Sequence, residues 1–276
     1  KRQNLGRRLA RVTFSCLSPG PGRVTEKKIG FVDFHVHTIQ SNCGKPGMTA
    51  LRALGRFSEL GYLKVGFTDH YDPLLTMEKA RQTRNEVEET NPGLKVWVGS
   101  EVCVYLPGWP RGKLKRDRNR ELDFCILSPS HHPNSKEAAS FSKLPVEIQR
   151  ARIMDSFIEA VETEFADAIA HPFAYERSQI PMRDKVLRGI DWKDLEWALE
   201  VARRNSIAIE FSPRVLTLPE DFLLNFYRLC KKNRLKFSLG SDAHRVESIG
   251  AEKALFPLMR KIGVTDSEIW TPEDSG

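Results

Sequence analysis

"FVDFHVHTIQSNCG", residues 31–44, places two histidines one residue apart at the end of a strand-forming run. In an extended chain, side chains at i and i+2 share a face, so His35 and His37 present their imidazoles side by side. The chain has seven histidines in 276 residues, and two of them set together in this way can grip a metal ion.

Working outward, short apolar runs rich in strand formers recur at 30–35, 63–68, 94–99, 122–127, 166–170, 206–211 and 235–240. Helical periodicity fills the intervals at 48–60, 77–90, 145–164, 191–204, 219–233 and 247–262, with stops such as Gly61, Pro92 and Gly263. Seven strands with helices between them predict a parallel α/β architecture. The first strand is followed by His35 and His37, the second by Asp69 and His70, and the third by Glu101. His131 and His132 follow the fourth, His171 the fifth, Glu210 ends the sixth, and Asp242 and His244 follow the seventh. Every histidine therefore falls at the C-terminal end of an expected strand, the rim on which parallel α/β folds carry their active sites. A lone histidine at a strand end is ordinarily a surface or hydrogen-bonded residue. Seven so placed, with none on a helix, are not explained by chance.

Imidazole with carboxylate favours Zn²⁺, Mn²⁺ or Fe²⁺ over Ca²⁺ or Mg²⁺, which prefer oxygen shells. The number of donors exceeds the needs of one ion, so two or three divalent metals per chain are expected. Clustered metals generate hydroxide near neutral pH and neutralise phosphoryl oxygens, which points to phosphoester hydrolysis. Amide or ring hydrolysis is open to the same ligands.

The formal net charge of +7 resides in one segment. Residues 1–28 hold eight basic side chains against the single acid Glu26, leaving 35 of each sign in the remainder. With the turn-rich "SPGPG" at 18–22, this segment reads as a basic, flexible leader ahead of a domain over 29–276. Leader and basic loop "RGKLKRDRNR" (111–120) make nucleic acid a possible partner. No apolar run approaches the roughly 20 residues that span a membrane, and there is no signal-like apolar segment. Five widely spaced cysteines without a C-x-x-C pair predict a reducing, cytoplasmic environment.

Five motifs carry a family resemblance: "DFHVHT" (33–38), "GFTDH" (66–70), "VGSEV" (98–102), "AIAHPF" (168–173) and "LGSDAHRVESIG" (239–250). In order and spacing, over about residues 30–250, the chain resembles the PHP (polymerase and histidinol phosphatase) phosphoesterases. The resemblance implies a distorted (β/α)7, TIM-like barrel with a trinuclear metal centre at the C-terminal ends of its strands. It implies that His35, His37, Glu101 and Asp242 hold a first ion, and that Glu101 bridges to a second completed by His131 and His171. His132 is the alternative to His131. His70 and His244 hold the third, while Asp69 and Ser241 orient the ligands and Glu210 either does the same or is a hydrogen-bonded core acid.

One departure stands out. The family usually completes the third site with an Asp or His shortly after H-x-H, where this chain has Asn42 and Cys43. A Cys43 thiolate can ligate Zn²⁺ or Fe²⁺; an idle thiol beside a weakly filled site is the alternative. A hydroxide between two metals would attack phosphorus, so Glu101, Asp242 and His244 are the expected catalytic residues together with Arg245, which follows the last ligand. Arg177 and Arg245, with Arg111 and Lys113 from the basic loop, are the expected substrate contacts, and Trp109 and Tyr105 lie near them in sequence. Three functions fit: a phosphatase for a small phosphorylated metabolite, a nuclease or nucleotide-trimming phosphodiesterase, and a non-catalytic interaction module. The intact donor set favours an enzyme, and the compact chain favours a histidinol-phosphate-like or nucleotide-like substrate.

Overall fold

A computed structural model describes residues 32–72, 74–90, 93–103, 122–131, 139–163, 165–177 and 180–274. The leader, the basic loop with Tyr105, Trp109, Arg111 and Lys113, and His132 lie outside the described residues. Seven strands, β1 (Val32–Asp33), β2 (Lys64–His70), β3 (Lys95–Cys103), β4 (Cys125–Ser128), β5 (Ala168–Ile169), β6 (Ala208–Phe211) and β7 (Phe237–Leu239), form one sheet in sequence order. Each is parallel to the next. Helices α1 (Ala50–Glu59), α2 (Thr76–Thr90), α3 (Val146–Val161), α4 (Arg183–Arg188), α5 (Trp192–Arg204), α6 (Glu220–Lys232) and α7 (Phe256–Ile262) alternate with the strands. The result is a distorted, nearly closed (β/α)7 barrel.

Local sequence accounts for the elements. In α1, Thr49 caps the first turn by accepting from the Arg52 amide, and Ala50, Ala53, Leu54 and Phe57 form one buried stripe at helical spacing. Asp191 caps α5 in the same way through the Lys193 amide, and Leu195, Ala198, Leu199 and Ala202 face inward. The spacing predicts one helix over 247–262, but the structure breaks it into 3-10 turns at Val246–Ser248 and Ala251–Leu255 followed by α7. Gly250 sits at φ 96° between the two turns, and Pro257 lacks the amide a continuous helix would need.

Closure of the barrel coincides with the site. The edges β1 and β7 are joined just beyond the strands by Phe34 N donating to Leu239 O (2.8 Å), Asp242 N to His35 O (2.9 Å) and His37 N to Ala243 O (2.9 Å). Thus the seam that shuts the barrel fixes the backbone of three expected ligands. Asp33 reinforces it, its Oδ1 accepting from the amides of Ser241 (2.9 Å) and His35 (3.2 Å). On the face of β3 that carries Glu101, Trp97 lies four residues earlier and joins Phe34, Phe124 and Trp270 in an aromatic cluster. At about 3.3 Å per residue this apolar floor lies roughly 13 Å below the rim. No described helix is long and apolar enough to cross a membrane.

Candidate metal centre

The strand register delivers the first contacts. His70 ends β2 directly beside Glu101 of β3, and His70 Nδ1 lies 3.0 Å from Glu101 Oε2. The structure corrects the end of the third strand: the sequence stops it at Gly99, but β3 runs on to Cys103, so Glu101 belongs to the strand itself. Glu101 is fully buried, and five imidazoles face its two oxygens. His35 (3.6 Å), His37 (3.5 Å) and His70 approach Oε2, while His171 (3.1 Å) and His131 (3.7 Å) approach Oε1.

Asp242 takes the other side of the histidine pair, with Oδ1 at 3.5 Å from His35 Nε2 and 3.3 Å from His37 Nε2. Both Asp242 (φ 53°) and His171 (φ 27°) adopt left-handed backbone conformations that are costly for non-glycine residues. Such strain, of order 1–3 kcal/mol per residue, is characteristic of sites that need a side chain aimed against local preference.

Outer hydrogen bonds decide which nitrogen each ring turns inward. His35 Nδ1 donates to Glu210 Oε1 (2.8 Å), leaving Nε2 for the centre. The second oxygen of Glu210 accepts from the His171 amide (2.6 Å), so one carboxylate fixes two expected ligands. Gly240 packs so tightly here that a Cβ would collide with Glu210 Oε1 and His35 Cβ. Ser130 Oγ, which donates to His171 O, accepts from His171 Nδ1 at 2.8 Å and turns Nε2 toward Glu101. His244 Nδ1 donates to the Asp242 carbonyl (2.8 Å).

Asp69 acts on a loop rather than on a ligand ring, accepting from Thr38 N (2.7 Å), Thr38 Oγ1 (2.7 Å) and Ser41 Oγ (2.8 Å). Ser41 in turn accepts from the His70 amide (2.8 Å) and lies 3.4 Å from His37 Nδ1. Ser241 contributes its backbone amide to Asp33.

Four overlapping donor groups result, the donor atoms of each lying within 4.8 Å of one another. They are His35, Glu101 and His171; His35, His37 and Asp242; His37, Cys43, His70 and His244; and His70, Cys103 and His131. The structure thus brings together all the described residues expected as ligands, Cys43 included, while Asn42 is exposed. It adds Cys103, whose Sγ lies 3.3 Å from His131 Nδ1. Cys103 sits two residues after Glu101 on the same strand face, so the period-two rule that identified His35 and His37 points to it as well. Arg214, also missed, lies four residues beyond Glu210; its guanidinium reaches His131 Nε2 at 2.9 Å and Asp242 Oδ2 at 3.3 Å. Arg177 is exposed and bonded to Asp184 (2.7 Å), and Arg245 is exposed beside His244.

The electrostatics suit multivalent cations. Burial works against the charged forms of Glu101 and Asp242, yet neighbouring imidazoles outweigh it and hold both below the usual carboxylate range. Burial likewise opposes the charged form of His35, but Glu210, Glu101 and Asp242 keep its pKa well above the ordinary value. Burial lowers His37, and it takes His131 down to about 3. For Cys43, hydrogen bonds from His244 and His70 overcome the effect of burial and bring the thiol down to about 5; burial pushes Cys103 up. Two observations fit the donors to metal ions: the fully buried Glu101 Oε2 has three imidazole nitrogens within 3.6 Å of it, and His35 Nε2 and His37 Nε2 lie 3.1 Å apart, near enough to share one ion. Without an ion, one of the two rings donates to the other there; with an ion beside them, both nitrogens can turn their lone pairs to it.

Beyond Arg214 the rim opens into a cavity of about 590 Å³ lined by Ala174, Tyr175, Glu176, Arg177, Arg183, Arg214 and Thr217. No protein-family profile and no curated protein sequence matches the chain. Among solved structures, the chain is similar to HisK from Listeria monocytogenes, assigned as a histidinol phosphatase, with a TM-score of 0.60 and 14% identity, over 82% of this chain and 99% of that one. It is also similar to a chain from the structures of YwqE from Bacillus subtilis and CpsB from Streptococcus pneumoniae, described as metal-dependent tyrosine phosphatases. That match has a TM-score of 0.48 and 18% identity, over 85% of this chain and 89% of that one. At such identities the likeness to HisK is one of fold, and it agrees with the barrel described above.

Proposed function

We propose that the protein is a PHP-type, metal-dependent phosphoesterase that hydrolyses the phosphate monoester of a small metabolite. The observation that carries this reading is the buried Glu101 carboxylate with five imidazoles converging on it. A structural acid needs one or two hydrogen-bond donors. A carboxylate ringed by five histidine nitrogens is an arrangement that binds cations.

His35, His37, Glu101 and Asp242 would hold one ion, Glu101 with His131 and His171 a second, and His70, His244 and Cys43 a third. Bound divalent ions supply Lewis acidity and an acidified water. The chain itself contributes orientation: Glu210, Ser130 and the Asp242 carbonyl each fix one imidazole, and the aromatic floor keeps water from the base of the centre. A thiolate among the donors favours Zn²⁺ or Fe²⁺ over Mn²⁺. The adjoining cavity is in the size range of small-molecule sites, which favours a compact monoester over a polymer. The assignment of HisK, which shares the fold, is in keeping with this chemistry.

The test is hydrolysis of an aryl phosphomonoester and a bis-aryl phosphodiester by protein stripped with chelator and reloaded with Zn²⁺, Mn²⁺ or Fe²⁺. Monoester cleavage that returns with the metal and falls at least about 10³-fold in Glu101→Gln is the expected result. Preferential diester cleavage would move the assignment to a phosphodiesterase, and a metal-loaded protein that cleaves neither ester would overturn it.

A further inference from the structure

Cys103 has no place in the three-ion scheme above, although the rim brings it among the donors. It closes β3 two residues beyond Glu101, and strand alternation turns both side chains to the same face. The register sets it opposite Ser128 of β4, just before the loop that carries His131. Its Sγ lies 3.3 Å from His131 Nδ1, the ring nitrogen that also faces Glu101 Oε1 at 3.7 Å. We propose that Cys103 is a thiolate ligand of the second ion, completing its shell beside His131, Glu101 and His171. This rests on the metal-dependent reading given above.

Spacing comes first. At ordinary bond lengths the donors of one tetrahedral ion stand about 3.3–3.8 Å apart. The series Cys103 Sγ, His131 Nδ1, Glu101 Oε1 and His171 Nε2 runs in steps of 3.3, 3.7 and 3.1 Å. The surroundings agree with the spacing. Cys230 is buried in the apolar core and Cys125 packs against a smaller apolar cluster, the ordinary settings of a free cysteine. Cys103 instead shares a donor group with two imidazoles, those of His70 and His131.

Donor supply points the same way. His70 belongs to both thiol-containing groups, one with His37, Cys43 and His244 and the other with Cys103 and His131. A neutral imidazole has a single bare nitrogen, so His70 serves one ion. Once it completes the third ion with Cys43 and His244, the donor left beside His131 is Cys103. Charge supply adds to this, because the remaining anionic donors of the cluster are the Glu101 and Asp242 carboxylates and the Cys43 thiolate, and divalent charge in a buried setting is costly without anions beside it. The bound ion displaces the Cys103 thiol proton to solvent, since a coordinating thiol is deprotonated outright. With Nδ1 loaded, the neutral His131 ring carries its proton on Nε2, so Arg214 gives up that contact and keeps Asp242 Oδ2. The second position then prefers Zn²⁺ or Fe²⁺ as the third does, while the first, with nitrogen and oxygen donors alone, stays open to Mn²⁺.

The experiment loads stripped protein with Co²⁺ under argon and reads the near-ultraviolet thiolate-to-cobalt absorbance, with cobalt content by elemental analysis. The variants are Cys43→Ser, Cys103→Ser and the double substitution, with Cys125→Ser as control. Wild type and the control should show the absorbance in full, each single variant about half of it, and the double variant none, because each thiolate contributes its own band. Cys43→Ser decides the matter even where Cys103→Ser fails to fold, since the absorbance it keeps must come from a second thiolate. If Cys43→Ser binds cobalt and shows no such absorbance, or if Cys103→Ser or the double variant keeps the wild-type intensity, Cys103 is not a ligand. Cobalt bound to wild type without thiolate absorbance overturns the proposal and leaves the metal centre standing. If wild type binds neither cobalt nor zinc, the metal-dependent reading itself fails, and the Cys103 ligand with it.

Discussion

The donor cluster has a deep half and an outer half. His35, His37, His171 and Glu101 have no solvent exposure, whereas the side chains of His70, His131 and His244 are 32%, 23% and 28% exposed. In the deep half the outward nitrogens of His35 and His171 are held by Glu210 and Ser130, groups that sit outside the donor clusters. In the outer half, His70 leans on Glu101 and His244 on the Asp242 carbonyl, both within the cluster, while His131 is met by Arg214 from beside it. On the proposed reading, the deep half is organised before any ion arrives, and the outer half exchanges partners to accept one. Thiols follow the same division, because Cys43 and Cys103 belong to donor groups that contain His70.

Substitutions in the two halves should consequently fail in different ways. After Glu101→Gln, the largest expected effect belongs to Glu210→Gln, which keeps the shape but loses the carboxylate that orients His35 and holds the His171 amide. Supports of this kind typically cost 10–100-fold in metal affinity or activity, and the loss should appear in the tightest-binding ion, read by competition with a chelator. Wild-type affinity for that ion in the variant would show that the deep half does not depend on Glu210.

Cys43→Ser should have a smaller and selective effect, releasing the outer ion and leaving the deep ions in place. Elemental analysis of the variant after dialysis would read about one metal fewer per chain than wild type. The thiol also provides a readout without metal. With its pKa near 5, Cys43 is mostly thiolate at pH 6, where an ordinary thiol near 8.5 is not. In stripped protein, iodoacetamide at pH 6 should modify Cys43 first, and Zn²⁺ should protect it. Equal labelling with and without Zn²⁺ would place the thiol outside the centre.

Most of the deep half was legible in the sequence and most of the outer support was not, for a physical reason. His35 and His37 announce themselves through the two-residue period of extended chain, and the rim through histidines that recur after apolar runs. By contrast, "GSEVC" reads as a turn because Ser100 and Glu101 are polar, although they continue β3 into a buried polar interior. Cys103 was lost with it. Arg214 was hidden by the reach of its side chain, since it lies in a turn after Pro213 and meets His131 from a distance of 83 residues along the chain. The seam between β1 and β7 is made by isolated hydrogen bonds beyond the strands, a feature without a periodic signature.

The smallest effect expected tests what lies beneath the deep half. Asp33, which pins the seam, is buried, and its carboxyl is raised well above the usual range by burial and then by the charge of Glu252. Glu252 is also raised, first by burial, and accepts a hydrogen bond from Tyr62. Among the described residues, Asp33 Oδ2 and Glu252 Oε2 are buried without a partner in hydrogen-bond geometry. A carboxyl raised in the folded state holds more protons there than in the unfolded chain, so its contribution is full below the unfolded value of about 4.5 and is lost as pH rises through the folded value. Glu252→Gln keeps an acceptor for Tyr62 and removes that titration. Melting temperatures of the two proteins should therefore diverge from pH 5 to pH 8, with the variant gaining relative to wild type. About 1 kcal/mol would appear as roughly 2–4 °C in a chain of this size. Parallel curves would mean that the acids under the seam do not titrate with folding, and that the deep half owes its rigidity to Glu210 and the aromatic floor alone.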